Sequence, residues 1–359
     1  MLIRHSKLHQ KRSGPSAYSV YNGEWDVHYI VVLLDLALFN RPEMGHILQG
    51  RKGKRVLRLE DGFLRSVGLG ADLVRPISWV IDGRGIYYDA TMASDLEYLL
   101  QTAEFDTELC LRAARLRDRI VASRLTKYNI NVGEAKGWQR PFPFSAPLMQ
   151  EERGGQEGFP HVKRGRTVVL VPGQVETDAS IAYGAPVLRR NMELLQAVRE
   201  ANPEAYLVYK PHPDVQIGLR AKRPEDDNAM DWCDELVMGI GMGELLPQVD
   251  EVHVLTSLTG FEALLRDKRV TCYGQPFYAG WGLTTDMVPL ARRTRCLSLN
   301  ELVAGALILY PTYVSRTTGY FTTPERALDE LLAWRERTGE ASLPMWRLVL
   351  RFLLQLRAK

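Results

Sequence analysis

The chain has 359 residues, 45% hydrophobic and 25% charged, with 46 Lys and Arg against 43 Asp and Glu for a formal charge of +3. That length suggests about two domains with room for a sizeable core, and the composition excludes a disordered or fibrous chain. The balanced charge excludes a general nucleic-acid coat protein, so no nucleic-acid partner is expected. The four cysteines, Cys110, Cys233, Cys272 and Cys296, form no C-x-x-C pair. They signal neither a zinc site nor a disulfide framework and suit a reduced, cytoplasmic setting. No secretory h-region opens the chain, and the apolar stretch from Ile30 to Phe39 is too short for a membrane span and contains Asp35.

In chain order, residues 1–50 carry no assignable pattern. Arg55 to Leu59 predicts a strand, and Glu60-Asp61-Gly62 a turn after it. Ile77 to Ile81 and Gly85 to Tyr88 predict two strands around Asp82-Gly83-Arg84. Ser94, with Glu97 three residues on, reads as a capping box opening a helical stretch to about Thr126. Residues 131–166, rich in Gly, Pro and charge, read as the boundary between halves. Beyond it, strands at Thr167–Val171, Tyr206–Tyr209, Glu251–Leu255 and Arg269–Tyr273 alternate with helices at Asn191–Glu200 and from Phe261 to Arg266. Alternation of this kind predicts a parallel, doubly wound sheet.

Ligands of such sheets bind beyond the carboxyl ends of the strands, so the residues that follow each strand are the candidates. Gln174, Glu176 and Asp178 follow the first; either acid could serve as nucleophile or base, or only cap the next turn. Lys210 and His212, stiffened by prolines, suit a phosphate, or else simply end a strand. Thr256, Ser257 and Gly260 lead into a helix start that offers hydroxyls and backbone N–H groups to an anion, or is a plain N-cap. Glu262 in that helix could hold ribose hydroxyls or only complement the dipole. Glu60 and Asp61, in the other half, could supply acid/base chemistry across a cleft. Asp82, Arg84, Tyr87, Tyr88 and Asp89 form either a sugar-contacting wall or an ordinary hairpin. The seven histidines lack metal-ligand spacing, and no G-x-G-x-x-G, Walker loop or G-x-S-x-G is present. The basic amphipathic stretch from Leu343 to Lys359 suits either an anionic membrane surface or a final packed helix.

Taken in order, Arg58-Leu-Glu-Asp-Gly-Phe-Leu-Arg-Ser66, Arg84-Gly-Ile-Tyr-Tyr-Asp-Ala90, Val171-Pro-Gly-Gln-Val-Glu-Thr-Asp-Ala-Ser180, Tyr209-Lys-Pro-His-Pro-Asp214, Thr256-Ser-Leu-Thr-Gly-Phe-Glu-Ala-Leu-Leu265 and Phe277-Tyr-Ala-Gly-Trp-Gly282 closely resemble the KpsC family of capsule polysaccharide β-Kdo transferases of Gram-negative bacteria. The resemblance runs from about residue 54 to about residue 315 and is greatest to the second of the family's two tandem modules.

It implies an α/β, GT-B-like fold: two Rossmann-like halves facing a cleft, residues 1–150 on the acceptor side and 160–315 binding the CMP-sugar, then a helical tail at 316–359. It implies retaining, double-displacement transfer of Kdo from CMP-Kdo to a Kdo linker on a phospholipid. Asp178 would be the nucleophile, with acid/base work falling on Glu60 first and Asp61 second. Lys210, His212, Thr256 and Ser257 would hold the CMP phosphate, with Gln174 and Gly260 lining the site and Glu262 on the ribose. No cofactor or metal is required if these cations take a metal's place. Further expected partners are the inner-membrane surface or a second transferase module, with the protein cytoplasmic or peripheral on the inner membrane. Two departures stand out: the family's opening strand and Gly-Trp-Gly-like loop are not found in residues 1–50, and one module is present rather than two. A nucleotide-sugar epimerase, or a non-catalytic module that binds CMP or a partner, are the competing readings.

Overall fold

The computed structural model describes residues 57–67, 74–127, 138–142, 165–212 and 224–338, all within one compact unit. Expectations for residues 1–50, for most of 131–166 and for 343–359 lie outside the described residues.

Two sheets organise the fold. The first is antiparallel, with order β1 (Arg58–Asp61), β2 (Ser78–Asp82), β9 (Thr312–Val314), β10 (Phe321–Thr322). The second is all parallel, with order β5 (Glu235–Leu236), β4 (Tyr206–Lys210), β3 (Val168–Pro172), β6 (Glu251–Val254), β7 (Arg269–Cys272), β8 (Thr285–Asp286). The chain moves outward from β3 through β4 to β5, then returns to the other side of β3. That is the 3-2-1-4-5-6 order of nucleotide-binding sheets.

The parallel strands form because both their faces are covered. β3 reads Val-Val-Leu-Val-Pro and is buried throughout, as a central parallel strand requires. On one face Val169, Val171, Leu207 and Tyr209 pack on Ile181 of α3 (Ala179–Gly184) and on Leu194, Leu195 and Val198 of α4 (Asn191–Ala201). On the other, Val168, Leu170, Val208, Val252 and Val270 meet Leu245 of α5 (Met242–Leu245) and Phe261 and Leu264 of α6 (Leu258–Leu264). That second cluster continues into the first half, through Leu96 and Leu100 of α1 (Asp95–Thr102) and Leu116 and Ile120 of α2 (Thr107–Ala122). It goes on through Leu302 of α7 (Leu299–Val303), Tyr313, and Leu328 of α8 (Pro324–Thr338). Each fully buried side chain of this size contributes roughly 1.5–3 kcal/mol, so the shared core binds the halves strongly.

Three expectations change. Gly85 to Tyr88 forms turns, not a strand. The buried Asp82 carboxylate bends the chain there, accepting the N–H groups of Arg84 (2.9 Å), Gly85 (2.8 Å) and Asp95 (2.9 Å) and the Tyr310 hydroxyl (2.9 Å). The tail expected to be helical from 316 first supplies β10, which pairs with β9 at the end of the second half; β9 lies against β2, so these two strands complete the first sheet before α8. Finally, the described part of the first half is antiparallel, so the Rossmann-like pattern is seen in the second half. Ser94 does cap α1, accepting the Glu97 N–H at 3.0 Å, but the Glu97 side chain is engaged elsewhere, so only half of the expected capping box forms.

Candidate functional site

The loops that follow the parallel strands gather where β3 and β6 lie side by side and their connections leave in opposite directions, the position at which ligands of such sheets bind. The loops here are pressed together. Gly173 N–H donates to the Lys210 carbonyl at 2.8 Å. A Cβ on Gly173 would stand 2.9 Å from the Tyr209 hydroxyl and 3.2 Å from the His212 nitrogen, so glycine allows the first two loops to meet.

Gln174 crosses to the third loop: its Nε2 donates to Thr256 Oγ1 at 3.1 Å, and Thr256 N–H donates back to Gln174 Oε1 at 2.9 Å. Thr256 Oγ1 in turn donates to Ser180 Oγ at 3.2 Å. Asn191 anchors the Gln174 backbone from both sides, at 2.8 and 2.9 Å, and its own N–H donates to Glu176 Oε1 at 2.7 Å. Gln174 and Thr256, expected as ligand-contacting groups, spend their side chains on holding the loops. Asn191 was not among the sequence candidates; as one polar residue at a helix start it left no distinguishing signal.

Asp178 is exposed at the N-cap of α3, where its Oδ1 accepts the Ser180 N–H at 2.8 Å. Glu60 approaches from the first sheet. Burial pushes its carboxyl pKa up; the Asp61 N–H at 3.0 Å and the Lys127 charge pull it down, and the negative charges of Asp61 and Asp178 add to the rise. Tyr88 belongs to the same cluster, its phenol pushed up by burial and then by Glu60 and Asp178. Acids from the two halves therefore share one electrostatic neighbourhood, which chain distance alone does not reveal.

The other acid separates from Glu60. Successive strand residues face opposite ways, and the Asp61 carboxylate forms an ion pair with Arg65. The polar and aromatic cluster also divides. Asp82 and Arg84 hold the turn, with Arg84 paired to Asp95 at 3.0 Å, and Asp89 accepts from the Thr91 N–H at 2.9 Å. Tyr87 packs edge-on against Phe63 at 4.8 Å, and only Tyr88 reaches the acids.

Lys210 ends β4 and is buried. Burial lowers its pKa, and no carboxylate among the described residues pairs with it. The half-buried His212 lies two residues on. Ser257 caps α6, accepting the Thr259 N–H at 3.2 Å, while the Tyr278 hydroxyl donates to the Ser257 carbonyl. Gly260 leaves room for Tyr278, whose hydroxyl a Cβ there would strike; its role is packing.

Glu262 is buried on α6. Its Oε1 accepts the Lys127 N–H at 2.7 Å, joining the halves. Burial raises its pKa against the opposing charges of Arg266 and Lys127. The glycine-rich loop at 274–282 is apolar packing: Phe277 stacks on Phe63 at 4.5 Å and tilts against Phe261 at 5.2 Å, and Trp281 Nε1 donates to the Phe277 carbonyl at 2.8 Å.

This arrangement has relatives. Residues 42–321 match the family model described as capsule polysaccharide biosynthesis protein. The capsule polysaccharide modification protein LipA of Neisseria meningitidis serogroup A is 45% identical over 277 residues, 77% of this chain and 36% of that protein. The lipopolysaccharide-processing protein LpsZ of Rhizobium meliloti is 42% identical over 276 residues, 76% of this chain and 58% of its own length. The chain thus spans about a third of the length of the Neisseria relative. Among solved structures, the β-Kdo 2,7 transferase of Thermosulfurimonas dismutans KpsC is 41% identical with a TM-score of 0.63, covering 82% of this chain and 83% of that one. The β-Kdo 2,4 transferase of the same KpsC is 34% identical with a TM-score of 0.60, covering 77% and 79%. The fold is accordingly GT-B-like, and with a family model matched over residues 42–321 the chain belongs to the capsule polysaccharide biosynthesis proteins.

Proposed function

We propose that this chain is a retaining β-Kdo glycosyltransferase, moving Kdo from CMP-Kdo to a lipid-linked Kdo acceptor in capsule polysaccharide biosynthesis. The observation that carries the reading is the gathering of the loops at the carboxyl ends of β3, β4 and β6, with the Asp178 charge felt by Glu60 of β1 in the other half. The similarity to two Kdo transferases supports the sugar. The higher identity with the 2,7 enzyme favours O7 as the acceptor hydroxyl.

In this mechanism Asp178 attacks the anomeric carbon, the bond to the CMP phosphate breaks, and Kdo is held on the carboxylate as an ester. Lys210 and His212 receive the charge that develops on the leaving phosphate; a buried cation that no carboxylate among the described residues pairs with is suited to an anion. Glu262 holds the ribose. Glu60 then takes the proton from the acceptor hydroxyl as that oxygen displaces Asp178, and two inversions give net retention. Asp61, bound to Arg65, keeps a structural role. The acceptor places the reaction at the cytoplasmic face of the inner membrane; none of the described helices is long and apolar enough to cross it.

The test is the intact mass of the protein after exposure to CMP-Kdo without acceptor, beside Asp178→Asn. A Kdo-sized adduct on the unsubstituted chain alone is expected, with CMP affinity preserved in the variant. CMP binding with neither adduct nor CMP release would overturn transfer in favour of a binding module. Turnover of a UDP-sugar instead would favour an epimerase.

A further inference from the structure

Strand β1 carries a cation toward the site as well as an acid. Its side chains alternate between the two faces of the sheet, so Arg58 and Glu60 point the same way and the exposed Leu59 points the other. The register agrees: Arg58 lies beside Asp82 and Glu60 beside Val80, both of which are buried. Arg58 and Glu60 therefore start about 7 Å apart, two strand residues along one face.

Arg58 is half-buried, and no carboxylate among the described residues pairs with it. Asp82, the acid across the strand pair, is already committed: its two oxygens accept the N–H groups of Arg84, Gly85 and Asp95 and the Tyr310 hydroxyl. The arginines that follow in this half are matched, Arg65 with Asp61 and Arg84 with Asp95 at 3.0 Å. The Arg58 charge acts on Tyr88, the phenol that burial, Glu60 and Asp178 push up. Cation, phenol and both acids thus belong to one neighbourhood.

A half-buried guanidinium beside the reacting acids is suited to an anion that arrives with the substrate. Its planar fork fits a carboxylate through two parallel hydrogen bonds. On the transferase reading donor and acceptor are both sugar acids. The donor's reacting carbon belongs at Asp178 and its phosphate at Lys210 and His212, all in the second half. Arg58 instead shares its strand with the base that takes the acceptor's proton. One sugar residue spans the interval between Arg58 and Glu60, so its carboxylate and its reacting hydroxyl meet the two side chains together.

We propose that Arg58 binds the carboxylate of the acceptor sugar and so fixes which hydroxyl meets Glu60. The proposal rests on the transferase reading and adds to it the ground on which the acceptor is selected, a sugar acid over a neutral sugar.

The experiment compares two acceptors in transfer from CMP-Kdo: the methyl β-glycoside of Kdo, and the same glycoside with its carboxylate converted to the amide. The unsubstituted chain should prefer the carboxylate by about tenfold or more in kcat/KM, chiefly through KM. Arg58→Gln should lose that preference, and Arg58→Lys should keep part of it, because an ammonium retains the charge without the fork. The preference is a ratio within each protein, so it does not depend on the folded fraction. Equal use of the two acceptors by the unsubstituted chain, or an undiminished preference in Arg58→Gln, overturns the proposal. So does a fall in adduct formation without acceptor in Arg58→Gln that matches its fall in transfer, which would give the arginine to the donor sugar. Absence of both adduct and CMP release in the unsubstituted chain would instead remove the transferase reading, and the proposal with it.

Discussion

Glu60 is the residue on which timing turns. A base must be ionised to accept a proton, and burial together with the Asp178 charge opposes ionisation. Burial, the largest of these causes, persists through both steps, so Glu60 must lose its proton from a raised pKa before it can act as base. Acceptor transfer should therefore rise with pH through the raised Glu60 pKa and level off above it. Glu60→Gln should lose that limb and lower acceptor transfer by ~10²–10⁴-fold, while the adduct still forms on Asp178. Single-turnover kinetics from preformed adduct against pH checks this; an unchanged limb in the variant would remove Glu60 from the base role.

At the scale of elements, close packing at the strand ends decides where the ligand groups sit. Gly173 lets the loop after β3 touch the loop after β4, and the Gln174–Thr256 pair ties that loop to the one after β6. Gly173→Ala forces a Cβ against the Tyr209 hydroxyl and the His212 backbone. Overpacking of this kind costs about 1–3 kcal/mol. Part of the strain should move His212, so CMP affinity measured by calorimetry should fall about tenfold, since 1.4 kcal/mol is a factor of ten. A variant that is less stable but binds CMP as before would show that the loop adjusts without displacing the histidine. The same logic separates Gly260 from the chemistry, because its small size serves Tyr278.

At the scale of the whole molecule, the halves share a common core and are joined by charged contacts, among them a clamp on Glu97. Glu97 of α1 accepts from Arg293 Nε at 2.9 Å and is ion-paired with Arg292, both arginines coming from the chain beyond β8. The Arg293 guanidinium also donates to the Pro276 carbonyl, at 2.5 Å, and to the Ala279 carbonyl, at 2.7 Å, which secures the aromatic loop. The Arg293 side chain is only 3% exposed, so removing its partner leaves a buried charge unmatched. Glu97→Ala should destabilise by about 3–5 kcal/mol in urea unfolding, and Glu97→Gln by less, because the amide oxygen still accepts a hydrogen bond. A loss below about 1 kcal/mol in Glu97→Ala would mean that this clamp adds little to what the core and the other contacts supply.

Local patterns in the sequence determined the four long parallel strands, the α4 helix, the Ser94 cap and the motifs around Asp178, Lys210, His212 and Glu60. Each depends on neighbours in the chain: β-branched runs form buried strands, a serine caps the next turn, and glycine marks a close approach. Residues far apart in the chain were decided only by tertiary structure. That β9 and β10 complete the first sheet depends on pairing over more than two hundred residues. That Asp82 bends the chain instead of opening a hairpin depends on Tyr310 and Asp95. The division of Glu60 from Asp61 follows from strand alternation once β1 extends through both acids, and Gln174 becomes a brace because Thr256 lies opposite. The electrostatic coupling of Glu60 to Asp178 and the Glu97–Arg293 clamp exist only when separate segments pack. Their energies come from burial and charge in three dimensions, which no local pattern encodes.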